Sequence, residues 1–546
     1  MLYFAFSIFL SAFLLFQVEP MIAKIILPWF GGSSAVWSTV VLFFQILLTG
    51  GYAYAYWLLK GRKRREIIHL ALLGGSLVLM LGLGLVWKSP ITPSANWKPV
   101  STASPAWGIF KLLFISVGLP YFLLSANSPL IQAWFDRAYP KKTAYRLYAL
   151  SNIGSLLGLV TYPLLVETSL TLPWQGRAWS AAYVLYVILA GFGAIKSLRM
   201  RQAETARPIA ETQPEQSRPP ASHYVLWIAL AATASILLLA VTSEITQEVA
   251  VIPFLWVLPM TVYLLTFVLA FSGERWYSRQ IYLLLFFGAT LLSGWALGRS
   301  DDLNILEQIG IYSLVLFAAC MVCHGELYRL RPPSARLASF YLMVSIGGAL
   351  GGLVINFVAP LMFKGFWELP LGIVLCWLVF LATTLVSRVS NRWVFIANEL
   401  LLVSAVTVAS VRSYQLIQAD LIHDLFIQRN FYGVLRVRQN NFNAVIPIHL
   451  DSIGLYLKGY HRFELIHGVT VHGFQFHDDN LRNLPTSYYG KTSGVGLAIL
   501  NDPQRGKRMR VGVLGLGVGT LAAYGQPGDV YRFYEINPAV IRLAQG

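Results

Sequence analysis

The sequence predicts a multi-span α-helical membrane bundle in two six-helix halves, followed by a small β-domain and the start of a nucleotide-binding α/β domain. Three observations predict it. Apolar runs long enough to cross a bilayer recur from Met1 to about Val411. A polar linker divides those runs into halves that resemble each other. Beyond Val411 the pattern turns to alternating strands and ends in a glycine-rich loop between two apolar strands.

Composition supports the first point. The chain has 546 residues, of which 56% are apolar and 12% charged, with a mean hydropathy of +0.59. A soluble chain carries about a quarter charged residues. The apolar runs cover residues 2–18, 35–59, 67–87, 108–131, 146–166, 178–198, 224–243, 252–271, 280–298, 307–323, 337–360, 369–387 and 393–411. Backbone polar groups find no water in lipid, so each run must close its own hydrogen bonds as a helix. The first run is followed by Glu19-Pro20 and lacks a basic leader, so it reads as a retained membrane helix.

The domains expected are a first membrane half over 1–200, a flexible linker over 201–222, a second half over 223–390, an extra helix and connector over 391–428, a small β-domain over 429–500, and the α/β start over 501–546. The linker, Arg201 to Ser222, is rich in Pro, Glu, Gln and Arg and cannot bury a core. Across it, Tyr148, Ile153, Gly154 and Gly158 keep register with Tyr341, Ile346, Gly347 and Gly351. Small residues at such spacing let helices approach closely. Glu19 and Pro28 pair more weakly with Glu244 and Pro253. A parallel duplication of six spans resembles the architecture of the major facilitator superfamily.

The net charge is +17, of which residues 412–546 hold 14 Lys/Arg against 9 Asp/Glu. Most of the excess lies in membrane loops, at Lys60–Arg65, Arg137–Arg146, Lys196–Arg218, Arg275–Arg279, Arg329–Arg336 and Arg388–Arg392. That bias places those loops and the N-terminus in the cytoplasm and makes nucleic acid an improbable partner. The lipid bilayer of the cell (inner) membrane is the expected partner. The side that holds the C-terminal part depends on whether 393–411 crosses, a span weakened by Asn398 and Glu399.

The C-terminal part carries the chemistry. Arg510–Leu514 reads as a strand running into Gly515, Gly517 and Gly519, with a helical stretch to Tyr524. Val530–Tyr534 is a second strand, closed by Glu535. Strand, glycine loop, helix, strand and acid make the start of a Rossmann-like sheet. The glycines let a ligand lie on bare backbone, and Glu535 can accept from two ribose hydroxyls.

These residues, with Arg429–Val437, the His467-Gly468 to Gln475 stretch, Pro485–Gly490 and Ser493–Gly496, resemble the fused major facilitator/spermidine synthase proteins. The resemblance spans the chain and is sharpest from Arg429 to Gln545. It implies a methyltransferase-type fold with aminopropyltransferase activity, using decarboxylated S-adenosylmethionine as co-substrate and a polyamine as acceptor. By that resemblance Gly515, Gly517, Gly519, Glu535 and Gln475 bind the donor, while Tyr488 and His472 line the amine side. A homodimer is a further expectation. Three departures stand out: Val518 and His472 replace aspartates, and Asn537 replaces another. They leave S-adenosylmethionine itself open as donor. The family's catalytic aspartates fall after Gly546, so no catalytic residue is assigned, and a fragment or an inactive domain is expected. Transport of a small cation by the bundle, with the C-terminal part sensing or degenerate, is the alternative.

Other clusters weigh less. Cys320, Cys323 and His324 fit a haem-attachment spacing at the end of an apolar run, where a packed helix end is the simpler reading. His461, His467, His472 and His477 lack the spacing of a zinc site, so no metal is expected. Glu19, Glu244 and Glu248 stand at or near span ends, either interfacial or on a substrate path. Arg505, Lys507, Arg508 and Arg510 read as a solvated face or a lipid-headgroup contact.

Overall fold

A computed structural model describes residues 2–60, 65–87, 89–99, 104–139, 145–204, 219–247, 253–299, 302–333, 336–386, 392–447, 454–468 and 470–545. Among them, 13 helices are long and apolar enough to cross a membrane. The chain divides into two compact units, one comprising Met1–Ala359 with Glu368–Ser413, the other Pro360–Trp367 with Tyr414–Gly546.

The first unit begins with α1 (Leu2–Ile26), α2 (Ser34–Lys60), α3 (Glu66–Trp87), α4 (Pro105–Leu113), α5 (Leu119–Ala138), α6 (Tyr145–Thr161), the short α7 (Glu167–Ser169) and α8 (Leu172–Glu204). The second half follows as α9 (Ala221–Gln247), α10 (Pro253–Ser272), α11 (Arg279–Leu297), α12 (Ile305–Arg329), α13 (Leu337–Leu353), the short α14 (Ala359–Met362), α15 (Glu368–Val386) and α16 (Arg392–His423). The middle of the expected linker, 205–218, lies outside the described residues, and helix covers its first four positions.

The halves pack alike. A Cβ on Gly154 or Gly158 of α6 would sit 2.6 or 2.3 Å from the carbonyl oxygen of Phe9 or Phe13 on α1. On α13, Gly347 and Gly351 stand 2.5 Å by the same measure from the carbonyls of Ile228 and Ala232 on α9. Absent side chains are what let each pair of backbones meet. Both α6 and α13 then pass into a wide π turn, at Tyr162–Val166 and Val354–Val358. Pro163 and Pro360 accompany them, and proline's missing N–H loosens the helical ladder there. Between the halves, α2 packs on α13 while α10 packs on α6, the pairing that exchange of halves demands.

The packing fixes the repeat register. Phe9 and Ile228, and likewise Phe13 and Ala232, are 219 residues apart, as are Trp37 and Trp256, whose rings stack at 4.8 Å. Glu19 therefore corresponds to Leu238, not to Glu244. The sequence pairing of Glu19 with Glu244 and of Pro28 with Pro253 is out by six residues. Helix α1 also runs through Pro20 to Ile26. Glu19 is thus 3% exposed inside the bundle rather than at a span end.

Buried polar pairs occupy the interior. Glu326 on α12 meets Arg279 on α11 at 2.5 Å and accepts from Tyr277 at 2.8 Å. The cysteines are packed: Cys323 Sγ lies 3.7 Å from Cys376 Sγ, and His324 Nδ1 lies 3.0 Å from Thr266 Oγ1. Cys320 is fully buried.

The second unit holds an antiparallel sheet in sequential order, β1 (Asp424–Asn430), β2 (Gly433–Pro447), β3 (Gly454–His467) and β4 (Thr470–Phe476). A parallel pair follows, β5 (Arg510–Leu514) and β6 (Val530–Tyr534), with short helices α17 (Gly494–Leu500) and α18 (Pro538–Ala544). Asp424 anchors the first hairpin by accepting from Arg438 Nε at 2.9 Å across β1 and β2. Pro360–Trp367 joins this unit through Trp367 Nε1 to Asp420 at 3.0 Å and Arg429 to the Gly365 carbonyl at 2.8 Å.

Candidate functional site

The expected strands over Arg510–Leu514 and Val530–Tyr534 are β5 and β6, paired from Arg510 with Val530 to Leu514 with Tyr534. After β5 the chain turns on Gly515, Gly517 and Gly519, whose φ angles are +92°, +55° and +72°. Any side chain at these left-handed positions is strained, so the alternation of glycines is a backbone requirement. The turn is held by Gly515 N donating to the Tyr534 carbonyl at 2.8 Å and Gly519 N to that of Leu516 at 2.9 Å. The stretch after it, Thr520–Tyr524, is a 3₁₀ turn.

Glu535 closes the turn from β6. One carboxylate oxygen accepts from Leu516 N at 2.9 Å and the other from Asn537 N at 2.8 Å. Two amides thus fix the carboxylate beside the glycine loop, and each oxygen keeps a lone pair. Asn537 caps α18, accepting from Ala539 N at 3.1 Å and from Asn430 Nδ2 at 2.6 Å. An aspartate would cap this helix equally well, so the cap does not account for the departure.

The two apolar residues inside the loop do not face outward. Leu516 and Val518 pack against Leu435, Leu465, Ala539 and Val540, the small core between the antiparallel sheet and α18. The resemblance has an aspartate beside the donor's amine where this chain has Val518; in the fold Val518 packs on that core, because alternate residues of the loop turn opposite ways.

Strand β4 borders the loop. His472 and Gly473 together oppose Leu465 of β3, since Ile466 pairs with Val471 and Glu464 with Phe474. Such a bulge re-aims a strand. Gly473 has φ +132°, and a Cβ there would stand 2.9 Å from Val518 Cγ2. The His472 carbonyl lies 3.5 Å from a Cβ built on Gly517. Burial above all, and His467 next, hold the His472 imidazole below the ordinary histidine value, while Glu535 pulls it upward. The two imidazoles are 5.7 Å apart, and His467 Nε2 bonds the Tyr432 carbonyl at 2.8 Å. Val469, just before β4, lies outside the described residues.

The remaining expected residues are more peripheral. Gln475 is exposed and donates to the Arg482 carbonyl at 3.2 Å. Tyr488 is 62% exposed and its ring lies 4.4 Å from that of Tyr489. Thr486 Oγ1, bonded to the Phe474 carbonyl at 2.5 Å, ties that segment to β4. Ser487, at φ +57°, stands with its Oγ 3.8 Å from the Gly473 Cβ position; it lies in the Pro485–Gly490 stretch, where the sequence assigns it no role. The loop, Glu535, His472 and the 486–488 segment are therefore gathered round one bulge. Among the described residues no group of three or more His, Cys, Asp or Glu is arranged to hold a metal.

Of the three acids singled out in the bundle, Glu19 lines a cavity between the halves, Glu244 does not, and Glu248 lies outside the described residues. No protein-family model matches this chain, and no curated protein matches it.

Proposed function

We propose that the C-terminal unit binds an adenosyl-sulfonium donor, decarboxylated S-adenosylmethionine or S-adenosylmethionine, as part of a membrane-anchored spermidine-synthase-like aminopropyltransferase acting on a polyamine. With it goes the finer reading of β5, β6 and the glycine loop as Rossmann-like, and of the bundle as major-facilitator-like. One observation carries the reading: three left-handed glycines after a parallel strand, with Glu535 tethered to the loop's own amide. A Cβ at Gly515 would meet nothing within 4 Å, so the turn offers open backbone to a flat adenosine. The fixed carboxylate offers paired acceptors for a vicinal diol.

The transfer needs little from the protein. The carbon beside a sulfonium is electrophilic; the acceptor nitrogen bonds to it as the sulfur–carbon bond breaks, and the amine proton must go to a base. Holding the amine in line is the protein's main task. Val518, turned into the core, gives the donor's amine no carboxylate. That favours S-adenosylmethionine, which carries its own; with that donor the group transferred would be aminocarboxypropyl or methyl in place of aminopropyl.

Calorimetric titration of the full chain in detergent with each donor tests the reading. Binding is expected with at least one of them. Glu535→Ala removes two charge-assisted hydrogen bonds to the ribose, about 2–4 kcal/mol, or roughly thirty- to a thousandfold in affinity. No heat with either donor overturns the proposal.

A further inference from the structure

The cavity between the halves of the bundle, of about 220 Å³, is unlike a packing defect. Helices α1, α2, α5 and α6 line it from one half, and α9, α10 and α13 from the other. No lysine, arginine or histidine lines it, yet it contains Glu19. Tyr121 donates to one oxygen of Glu19 at 2.7 Å. The other, Oε2, is buried without a hydrogen-bond partner. Gln45 repeats the pattern: Nε2 donates to Ser235 Oγ at 2.9 Å, and Oε1 is buried with no partner.

Four serine hydroxyls on the wall are already committed as donors. Ser11 gives its proton to the Ile8 carbonyl at 3.1 Å, Ser125 to Phe122 at 2.8 Å, Ser155 to Ser151 at 3.1 Å and Ser345 to Leu342 at 2.9 Å. What they leave toward the cavity is lone pairs. These serines set acceptors around one carboxylate, with the rings of Phe16, Phe44, Tyr52, Tyr263 and Phe267 between them. Glu326, by contrast, is buried with its cation, Arg279. A buried carboxylate without one is costly until a cation meets it.

We infer that this cavity is a binding site for a small organic ammonium ion, the head on Glu19 and Gln45 and the apolar body among the aromatic rings. The ammonium brings N–H donors to Glu19 Oε2 and Gln45 Oε1, and ring faces attract cations. Within the repeat the polarity is one-sided. Glu19 and Gln45 correspond to Leu238 and Leu264, which line the opposite wall. The charge is held by the first half alone. A site at a repeat interface is where a carrier binds its cargo. The inference does not depend on the C-terminal unit.

The test is calorimetric titration of n-butylammonium into the full chain in detergent, with 1-butanol as the neutral isostere. Saturable binding is expected with the amine and none with the alcohol. Glu19→Gln weakens it by about thirtyfold or more. Tyr121→Phe takes a donor from Glu19 but leaves the charge, so it binds the amine at least as tightly as the parent chain. A merely structural Glu19–Tyr121 contact would make both variants weak. The inference is overturned by no amine binding, by equal binding of the alcohol, by weakening in both variants, or by an unweakened Glu19→Gln, which would place the amine elsewhere.

Discussion

Gly473 is the position where the antiparallel sheet and the glycine loop constrain each other most directly, and Gly473→Ala measures that constraint. Two costs add. The backbone stands at φ +132°, a region that only glycine occupies freely, at about 1–3 kcal/mol for any other residue. The new Cβ would also lie 2.9 Å from Val518 Cγ2, whose side chain is hemmed by Leu435, Leu465 and Val540. Overpacking of that kind costs about 1–3 kcal/mol. A loss near 3 kcal/mol follows, or roughly a hundredfold in the opening constant. Hydrogen-exchange mass spectrometry on the full chain reads it locally. The amides of Gly515, Leu516 and Gly519 are each bonded within the site, so they report loop opening. Exchange there is expected to rise about a hundredfold, with amides of the bundle unchanged. Adding Val518→Ala removes the overlap but not the dihedral strain, so the double variant should recover about half the loss in the exponent. Unchanged exchange at the loop in Gly473→Ala would refute the bracing of the loop by β4. A double variant worse than the single would refute the steric half of the reasoning.

Two further outcomes follow from the same geometry. Gly158→Val and Gly351→Val each drive a side chain into a backbone carbonyl, which no rotamer change relieves; each should lower the melting temperature of the detergent-solubilised chain, equivalent to about 3 kcal/mol or more. Gly310→Val, where a Cβ meets nothing within 4 Å, should stay within about 1 kcal/mol, and equal losses at all three would show that the close approach is not what matters. His472 is held below its unfolded value, so the folded unit takes up its proton later than the unfolded chain does. Its contribution is present above about pH 6.5 and is lost as pH falls below it. The loop amides should therefore lose protection between about pH 7 and pH 5 in the parent chain and less so in His472→Gln, with parallel curves ruling out this group.

Much of the fold was legible because lipid leaves few choices. A run such as Ala221–Thr246 can close its hydrogen bonds only as a helix. Strands β5 and β6 were legible to the residue, because apolar runs end abruptly in glycine or acid. What stayed hidden was settled by tertiary packing. Nothing local marks Gly454–His467 as a strand of 14 residues, since its register comes from β2. Pro360–Trp367 reads as little more than the connection between two apolar runs, yet it belongs to the C-terminal unit, held by Trp367 and Arg429. Proline at 20 suggests a helix end, but one missing N–H is a small loss against the burial of Met21, Ile22 and Ile26 beyond it. Within the site, the glycines and Glu535 could be read from spacing alone. The inward turn of Val518 and the bulge at His472–Gly473 could not, because each depends on a partner strand.

The repeat register shows why that distinction matters for function. Two acids that look equivalent in sequence, Glu19 and Glu244, suggest a symmetric pair of charges at the two ends of a path. Packing denies the equivalence: the stacked Trp37 and Trp256, and the paired glycine contacts, all fix an offset of 219 residues. On that offset the backbones of the two walls match while their chemistry does not, because Leu238 and Leu264 stand where Glu19 and Gln45 do. A duplicated scaffold preserves close helix approach through Gly154, Gly158, Gly347 and Gly351, since any Cβ there would part the helices. The cavity wall is under no such steric rule. There Glu19 and Gln45 stand where the second half has Leu238 and Leu264, so one half carries a charge that its counterpart lacks, an asymmetry that suits a single cationic head.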